Sequence, residues 1–252
     1  MRNRNARKTR GGRAKAGSQL QIQIYVNRFA DELSQQVLDA QPVLKAMKPR
    51  LRWVSPLERE NFVEYYDQGF LRAIECPELT GALGDFWPPS GPRWDALAVA
   101  EFDGQPDRKG VVLVEAKSGR IEIFGNGCGA VGENRKQIEA ALAQTREWLG
   151  MRWGYTKSNG LGYLWAGPLY QYANRLAHLC FFREVAKIDA WLVNVYFVDD
   201  PDSPTGVRLW DEFLPEVKDH LGLTGIDLLS FGAADLYLEA KNPREQSKWG
   251  NE

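Results

Sequence analysis

Residues 93–120, RWDALAVAEFDGQPDRKGVVLVEAKSGR, decide how this chain is read. Trp94 to Phe102 and Gly110 to Ser118 are two apolar runs, and Asp103-Gly104 with Pro106 and Asp107 between them is turn chemistry. The pattern predicts an antiparallel hairpin centred near residue 106, with Asp95 opposite Lys117 and one diagonal step from Glu115. Residues two apart on a strand share a face, so Glu115 and Lys117 point the same way and Asp95 points with them. Val111 to Val114 is continuously apolar, as a strand covered on both faces would be. Two carboxylates and an ammonium then meet at the end of a buried sheet, a costly arrangement unless a cation or substrate uses them.

An aspartate, some twenty residues, then Glu115-Ala116-Lys117 after four apolar residues resembles the active-site signature of the PD-(D/E)XK nuclease superfamily. Trp94 stands where that family often has proline before the aspartate, with Pro92 two residues earlier. The resemblance implies a restriction-endonuclease-like α/β core, a central mixed sheet with helices on both faces. It implies that Asp95, Glu115 and the Ala116 carbonyl hold Mg2+ or Mn2+ while Lys117 positions the attacking water. Hard oxygen ligands suit such a cation, which offsets the charge developing on a phosphodiester. The function implied is a metal-dependent nuclease acting on DNA. The alternatives are a catalytically silent nucleic-acid-binding or assembly module that keeps the fold, and an α/β protein of another kind in which Lys117 simply neutralises Glu115.

Upstream, Ser55-Pro56-Leu57-Glu58 has the form of a helix start, with a helix expected to run to about Ile74. A glutamate on the helix before the aspartate strand often completes the metal shell in the superfamily. Glu64 is the expected residue and Glu60 the next choice, against the reading of both as surface acids. Leu20, Ile22, Ile24 and Val26 alternate with polar residues and predict a short strand or extended arm; residues 28–48 predict helix, interrupted at Pro42. Residues 84–92, GDFWPPSGP, form a rigid loop whose Phe86 and Trp87 cap the core or stack on a base.

Downstream, Gly127, Gly129 and Gly132 spell G-x-G-x-x-G ahead of a helix from Asn134 to about Leu149. A dinucleotide site requires a second strand directly after that helix, and polar, aromatic-rich residues stand there instead. The glycines are better read as a loop bordering the cleft. Lys136 and Gln137 in the helix's first turn are candidate nucleic-acid contacts. So are Gln171, Asn174 and Arg175, which gather with His178 on one side of a helix over 169–185. An ordinary solvated surface is the competing account of each. Residues 190–198, AWLVNVYFV, predict a central strand ending in Asp199-Asp200-Pro201-Asp202, a turn or a carboxylate cluster; residues 210–221 predict helix and 226–238 one or two strands.

Composition bounds the rest. The first 18 residues carry seven basic side chains and no acid, whereas the whole chain nets −1. They predict a disordered basic tail preceding one domain over 19–252, either a phosphate contact or a solubilising end. No long apolar run or secretory signal is present, and Cys76, Cys128 and Cys180 lie too far apart for a zinc motif. Cytoplasmic location and a nucleic-acid partner are the expectations, with no membrane association and with a homodimer left open. His178 and His220 are too few for histidine-based hydrolase chemistry.

Overall fold

The computed structural model describes residues 11–105, 108–151 and 161–242. Five strands form one sheet in chain order: β1 (Arg50–Ser55), β2 (Ala96–Glu101), β3 (Lys109–Lys117), β4 (Asp189–Val198) and β5 (Ala233–Glu239). The β1/β2 and β2/β3 pairs are antiparallel, and β3/β4 and β4/β5 are parallel. Helices α1 (Gly17–Arg28), α2 (Ala30–Ala40) and α3 (Pro42–Ala46) cover one face. Helices α4 (Asp67–Ala73), α5 (Thr80–Phe86), α6 (Gly132–Trp148), α7 (Leu161–Ala166), α8 (Tyr170–Cys180) and α9 (Val207–His220) cover the other.

The pleat of β3 explains the two layers. Val112 and Val114 pack with Ile22, Val26 and Val37 under α1 and α2, and Val111 and Leu113 pack with Ile138, Leu142 and Leu176 under α6 and α8. The expected mixed α/β sheet with helices on both faces is the one observed. Glu115 and Lys117 continue the parity of Val111 and Leu113, so their side chains lie on the α8 face. No helix among the described residues is long and apolar enough to cross a membrane.

Several expectations change, among them the loop expected over 84–92, whose first three residues, Gly84, Asp85 and Phe86, end α5. Ala96 pairs with Val114 and Glu101 with Lys109, which centres the hairpin on residue 105 and places Asp95 in line with Glu115, not Lys117. The turn starts early: Gly104 takes a positive φ and the Gln105 N–H bonds back to Phe102 O. The shift is an even number of residues, so the shared face of Asp95, Glu115 and Lys117 survives it.

Residues 17–28 are helix rather than strand. The intervening glutamines are buried too: Gln21 exchanges two hydrogen bonds with the Lys241 backbone, and Gln23 bonds Ala14 N and Gly12 O. The polar half of the alternation therefore marked interior hydrogen bonding, not solvent. Those same bonds place residues 11–16, which had been read as tail; residues 1–10 lie outside the described residues.

The helix expected from Ser55 to Ile74 begins only at Asp67. Ser55 ends β1 and gives its hydroxyl to Val63 O instead of capping a helix. A 3-10 turn over Glu58–Glu60 and left-handed Asn61 and Phe62 then reverse the chain into an extended run.

Candidate active site

The site forms where the β2/β3 ladder stops. Beyond Ala96 and Val114 no backbone pair continues, and the Asp95 carboxylate takes its place, Oδ2 accepting the Ala116 N–H at 2.7 Å. Asp95 is held there from behind. Trp94 is fully buried against Phe70, and its backbone N–H donates to Tyr65 O at 3.2 Å.

Glu115, on the next strand, is buried between two cations. Oε1 accepts from Lys117 Nζ at 2.6 Å and Oε2 from Arg175 Nε at 2.5 Å. Arg175 is itself buried in α8 and bonds locally through its other nitrogens, Nη1 to Asn174 Oδ1 and Nη2 to Arg93 O, with its guanidinium 4.8 Å from the Trp94 ring. Two carboxyl groups and two cations thus form a tightly held cluster. Hydrogen-bonded ions of this kind tolerate burial that isolated ones do not.

The protonation states follow from that geometry. For Glu115, burial works to raise the pKa, but the charges of Arg175 and Lys117 outweigh it and hold the carboxyl below its ordinary value. For Lys117, burial pulls down while Glu115 and Asp95 push up more strongly, so it stays an ammonium. Asp95 goes the other way. Burial, then the adjoining Glu115 charge, push it up to about 8, and Lys117, the Ala116 amide and Arg175 offset this only in part.

The row extends across the sheet. Glu115 is in register with Asn194 on β4, and Asn194 with Asp235 on β5; Asn194 Nδ2 donates to Asp235 Oδ1 at 3.2 Å, and Lys218 pairs with Asp235 at 2.6 Å. Glu115, Lys117, Gln171, Tyr172 and Asn194 border a cavity of about 20 Å3, room for one water. The Tyr172 hydroxyl is buried with no partner among the described residues, as a group bonded to such a water would be.

The other predicted residues divide. Glu64 is buried on the extended run beside Tyr65, not on a helix, and accepts from Gln19 Nε2 at 2.6 Å, while Glu60 is exposed and accepts from the Tyr65 hydroxyl. Gln171 and Asn174 lie at the site. Arg175 does too, but as the partner of Glu115, buried and bonded through all three of its nitrogens. Gln137 bonds Gly84 O and Asp85 O, fastening α6 to α5, and Lys136 pairs with Glu133 at the surface. The glycine loop docks on α7 and the turn after it through Cys128 N to Ala166 O and Gly125 N to Pro168 O, and among the described residues helices, not a strand, come between α6 and β4, so it has no dinucleotide-binding geometry. Asp200 accepts from Ser118 Oγ and the Asp202 N–H, making 199–202 a turn and not a carboxylate cluster.

Sequence reading missed Arg93, Tyr172 and Asn194 as site residues. Asn194 had a visible signal, a lone amide inside AWLVNVYFV.

A divalent cation fits the donors present. Asp95 and Glu115 supply hard oxygens from adjoining strands, the raised Asp95 pKa marks a carboxyl lacking a compensating charge, and a Glu115 oxygen bonded to one cation keeps a second lone pair. Among the described residues no three His, Cys, Asp or Glu side chains gather into a metal-holding group, so the set is two carboxylates with backbone and water, as Mg2+ commonly accepts. Comparisons with protein-family models, with curated proteins and with solved structures find no match to this chain.

Proposed function

We propose that this chain is a divalent-metal-dependent nuclease of the PD-(D/E)XK type with a restriction-endonuclease-like core, hydrolysing phosphodiester bonds in DNA. One observation carries the reading: Asp95 stands in line with Glu115, and Lys117 is bonded to that same Glu115, at the sheet end where the β2/β3 ladder stops. Asp95, Glu115 and the Ala116 carbonyl are the residues that would hold Mg2+ or Mn2+, with Glu64, next to the Tyr65 carbonyl that takes the Trp94 backbone N–H, as the further carboxylate. When bound, the cation supplies Lewis-acid stabilisation of the charge developing on the phosphate.

The chain's own residues do the rest. Lys117, fixed as an ammonium by Glu115, is a donor and not a base; it holds the attacking water's oxygen in line and offsets charge on the phosphate. Arg175 fixes Glu115 and, through Arg93 O, the approach to Asp95. The Asp95 pKa near 8 belongs to the site without a cation; a cation held by Asp95 would keep the carboxylate ionised, so its binding would release a proton there.

A second reading is a catalytically silent nucleic-acid-binding or assembly module. It is favoured by the double engagement of Glu115, since a carboxylate satisfied by two cations requires no metal. The two separate in one assay: single-stranded, duplex and branched DNA and RNA are incubated with Mg2+ or Mn2+ and then with chelator, using wild type, Asp95→Ala and Lys117→Ala. Metal-dependent cleavage lost in both variants supports the nuclease. Binding without cleavage supports the silent module, and cleavage unchanged in both variants removes the site assignment.

A further inference from the structure

A cavity of about 530 Å3 opens on the α4–α5 side of the approach to Asp95. Phe70, Leu83, Trp87, Pro89 and Pro92 give it flat apolar walls, and Pro92 stands three residues before Asp95. His178, which also lines it, is one helical turn beyond Arg175 on α8, so the cavity and the carboxylate cluster share a wall.

Its polar groups are few and oriented. Burial drives the His178 pKa down to about 3, so the ring is neutral at ordinary pH. Nδ1 lies 2.8 Å from Asn174 O, which can only accept, and the proton therefore sits on Nδ1 and Nε2 is left as an acceptor. Glycine at 91 leaves space beside that nitrogen, since a Cβ there would lie 3.5 Å from Nε2 and 3.3 Å from Asp67 Oδ1. Asp67 directs both carboxylate oxygens at the Ser90 and Gly91 amides, which fastens the proline loop.

Two guanidiniums flank the cavity. Arg72 is exposed at the rim and donates to Gln68 Oε1 at 3.3 Å. Arg93 stacks 4.3 Å from the ring of Tyr66, another lining residue, and its Nη1 is buried with no hydrogen-bond partner among the described residues. Arg93 follows the lining residue Pro92 and stands two residues before Asp95, and an unpaired buried guanidinium N–H there calls for an anionic oxygen.

We infer that this cavity receives one unpaired nucleobase of the nucleic-acid substrate while Arg93 takes the adjoining phosphate, so that the chain acts on single-stranded or unpaired segments in preference to intact duplex. The inference rests on the proposed nuclease reading and names its substrate class. Aromatic and proline faces stack on any base, and Nε2 of His178 accepts from a base-edge N–H. A base within a duplex reaches such a cavity only by leaving its stack, which disfavours paired substrate.

Gly84→Leu is the test variant. Gly84 lines the cavity, a Cβ built there meets nothing within 4 Å, and leucine improves the propensity of α5, so the side chain fills space without removing a core contact. Cleavage with Mg2+ is measured on a single-stranded oligonucleotide, on versions with one abasic position moved along it, and on duplex. Wild type is expected to favour the single strand at least about tenfold and to lose about tenfold in kcat/KM at one abasic position, the scale of one stacked base. Gly84→Leu is expected to lose both effects with an undiminished melting temperature. Equal wild-type rates on single strand and duplex, or a variant that keeps both effects, overturns the inference and leaves the nuclease reading standing. If nothing is cleaved, oligonucleotide affinities in chelator give the same comparison: base-dependent binding lost in Gly84→Leu keeps the cavity and drops the nuclease, and absence of binding drops both.

Discussion

Replacing Asp95 by asparagine should change the direction in which stability varies with pH. In the folded protein Asp95 titrates near 8 and His178 near 3, whereas unfolded aspartate and histidine titrate at about 3.9 and 6.5. From about pH 4 to 6.5 the folded state holds one extra proton on Asp95 and lacks one on His178. The two contributions cancel and wild-type stability is level. Above pH 6.5 unfolded histidine is neutral like the folded one, and Asp95 alone remains. The folded state then binds more protons than the unfolded, so stability falls as pH rises, by about 1.4 kcal/mol per unit or roughly 2 kcal/mol between pH 6.5 and 8. Asparagine cannot titrate but keeps an oxygen for the Ala116 N–H. In Asp95→Asn only the His178 contribution survives, so stability climbs by roughly 3 kcal/mol from pH 4 to 6.5 and stays level above. Urea unfolding in chelator, followed by tryptophan fluorescence at pH 4, 5.5, 6.5 and 8, measures both curves. A variant that loses stability between pH 6.5 and 8 as wild type does would refute the claim that Asp95 is held protonated by burial and Glu115.

Arg175→Met leaves Glu115 buried with Lys117 alone and should cost about 3–5 kcal/mol in urea unfolding, of which Glu115→Gln in the same chain should restore a large part. Lys117→Met should lower the cleavage rate on the order of 10²–10³-fold, the scale of losing one charge-stabilising donor, while circular dichroism shows the fold retained. Mg2+ adds positive charge to a cluster already compensated by Lys117 and Arg175, so calorimetric titration should find its affinity raised by a non-cleaved oligonucleotide, and the oligonucleotide's affinity raised by Mg2+ by the same factor.

The central strands were legible because their apolar runs are long and have one parity. β1 was not, although Arg50-Leu51-Arg52-Trp53 alternates as an edge strand does. Its outward arginines find Glu101 and Glu75 across the sheet, partners 23 to 51 residues away, so locally they read as solvated charge. Ser55-Pro56-Leu57-Glu58 then offered a stronger local pattern, a capped helix. The bond that overrides it, Ser55 Oγ to Val63 O, exists only once the chain has doubled back. The α1 error has the same origin. Gln21 is committed to Lys241, 220 residues later, and no window of sequence distinguishes a glutamine bonded inside the fold from one facing water.

For the site, parity was legible and partnership was not. Asp95, Glu115 and Lys117 share a face in any even register, so a two-residue error in the pairing register left them together. Arg175 was placed on the correct side of α8 by its spacing from Gln171, Asn174 and His178, yet the phosphate role assigned from that spacing is occupied by Glu115. The reason is electrostatic. A glutamate buried this deeply with one lysine would lack a donor for its second oxygen, and the nearest helix must supply a cation that keeps its charge when desolvated. Arginine does this where lysine does so less reliably, because its guanidinium is weakly hydrated and donates from several positions at once, here to Glu115, Asn174 and Arg93 together. The consequence reaches Arg93. With its carbonyl gripped by Arg175 and its guanidinium laid on Tyr66, Arg93 keeps Nη1 without a partner among the described residues, as Trp94 keeps Nε1, so on the proposed nuclease reading the phosphate contact expected on the helices moves to the loop that delivers Asp95.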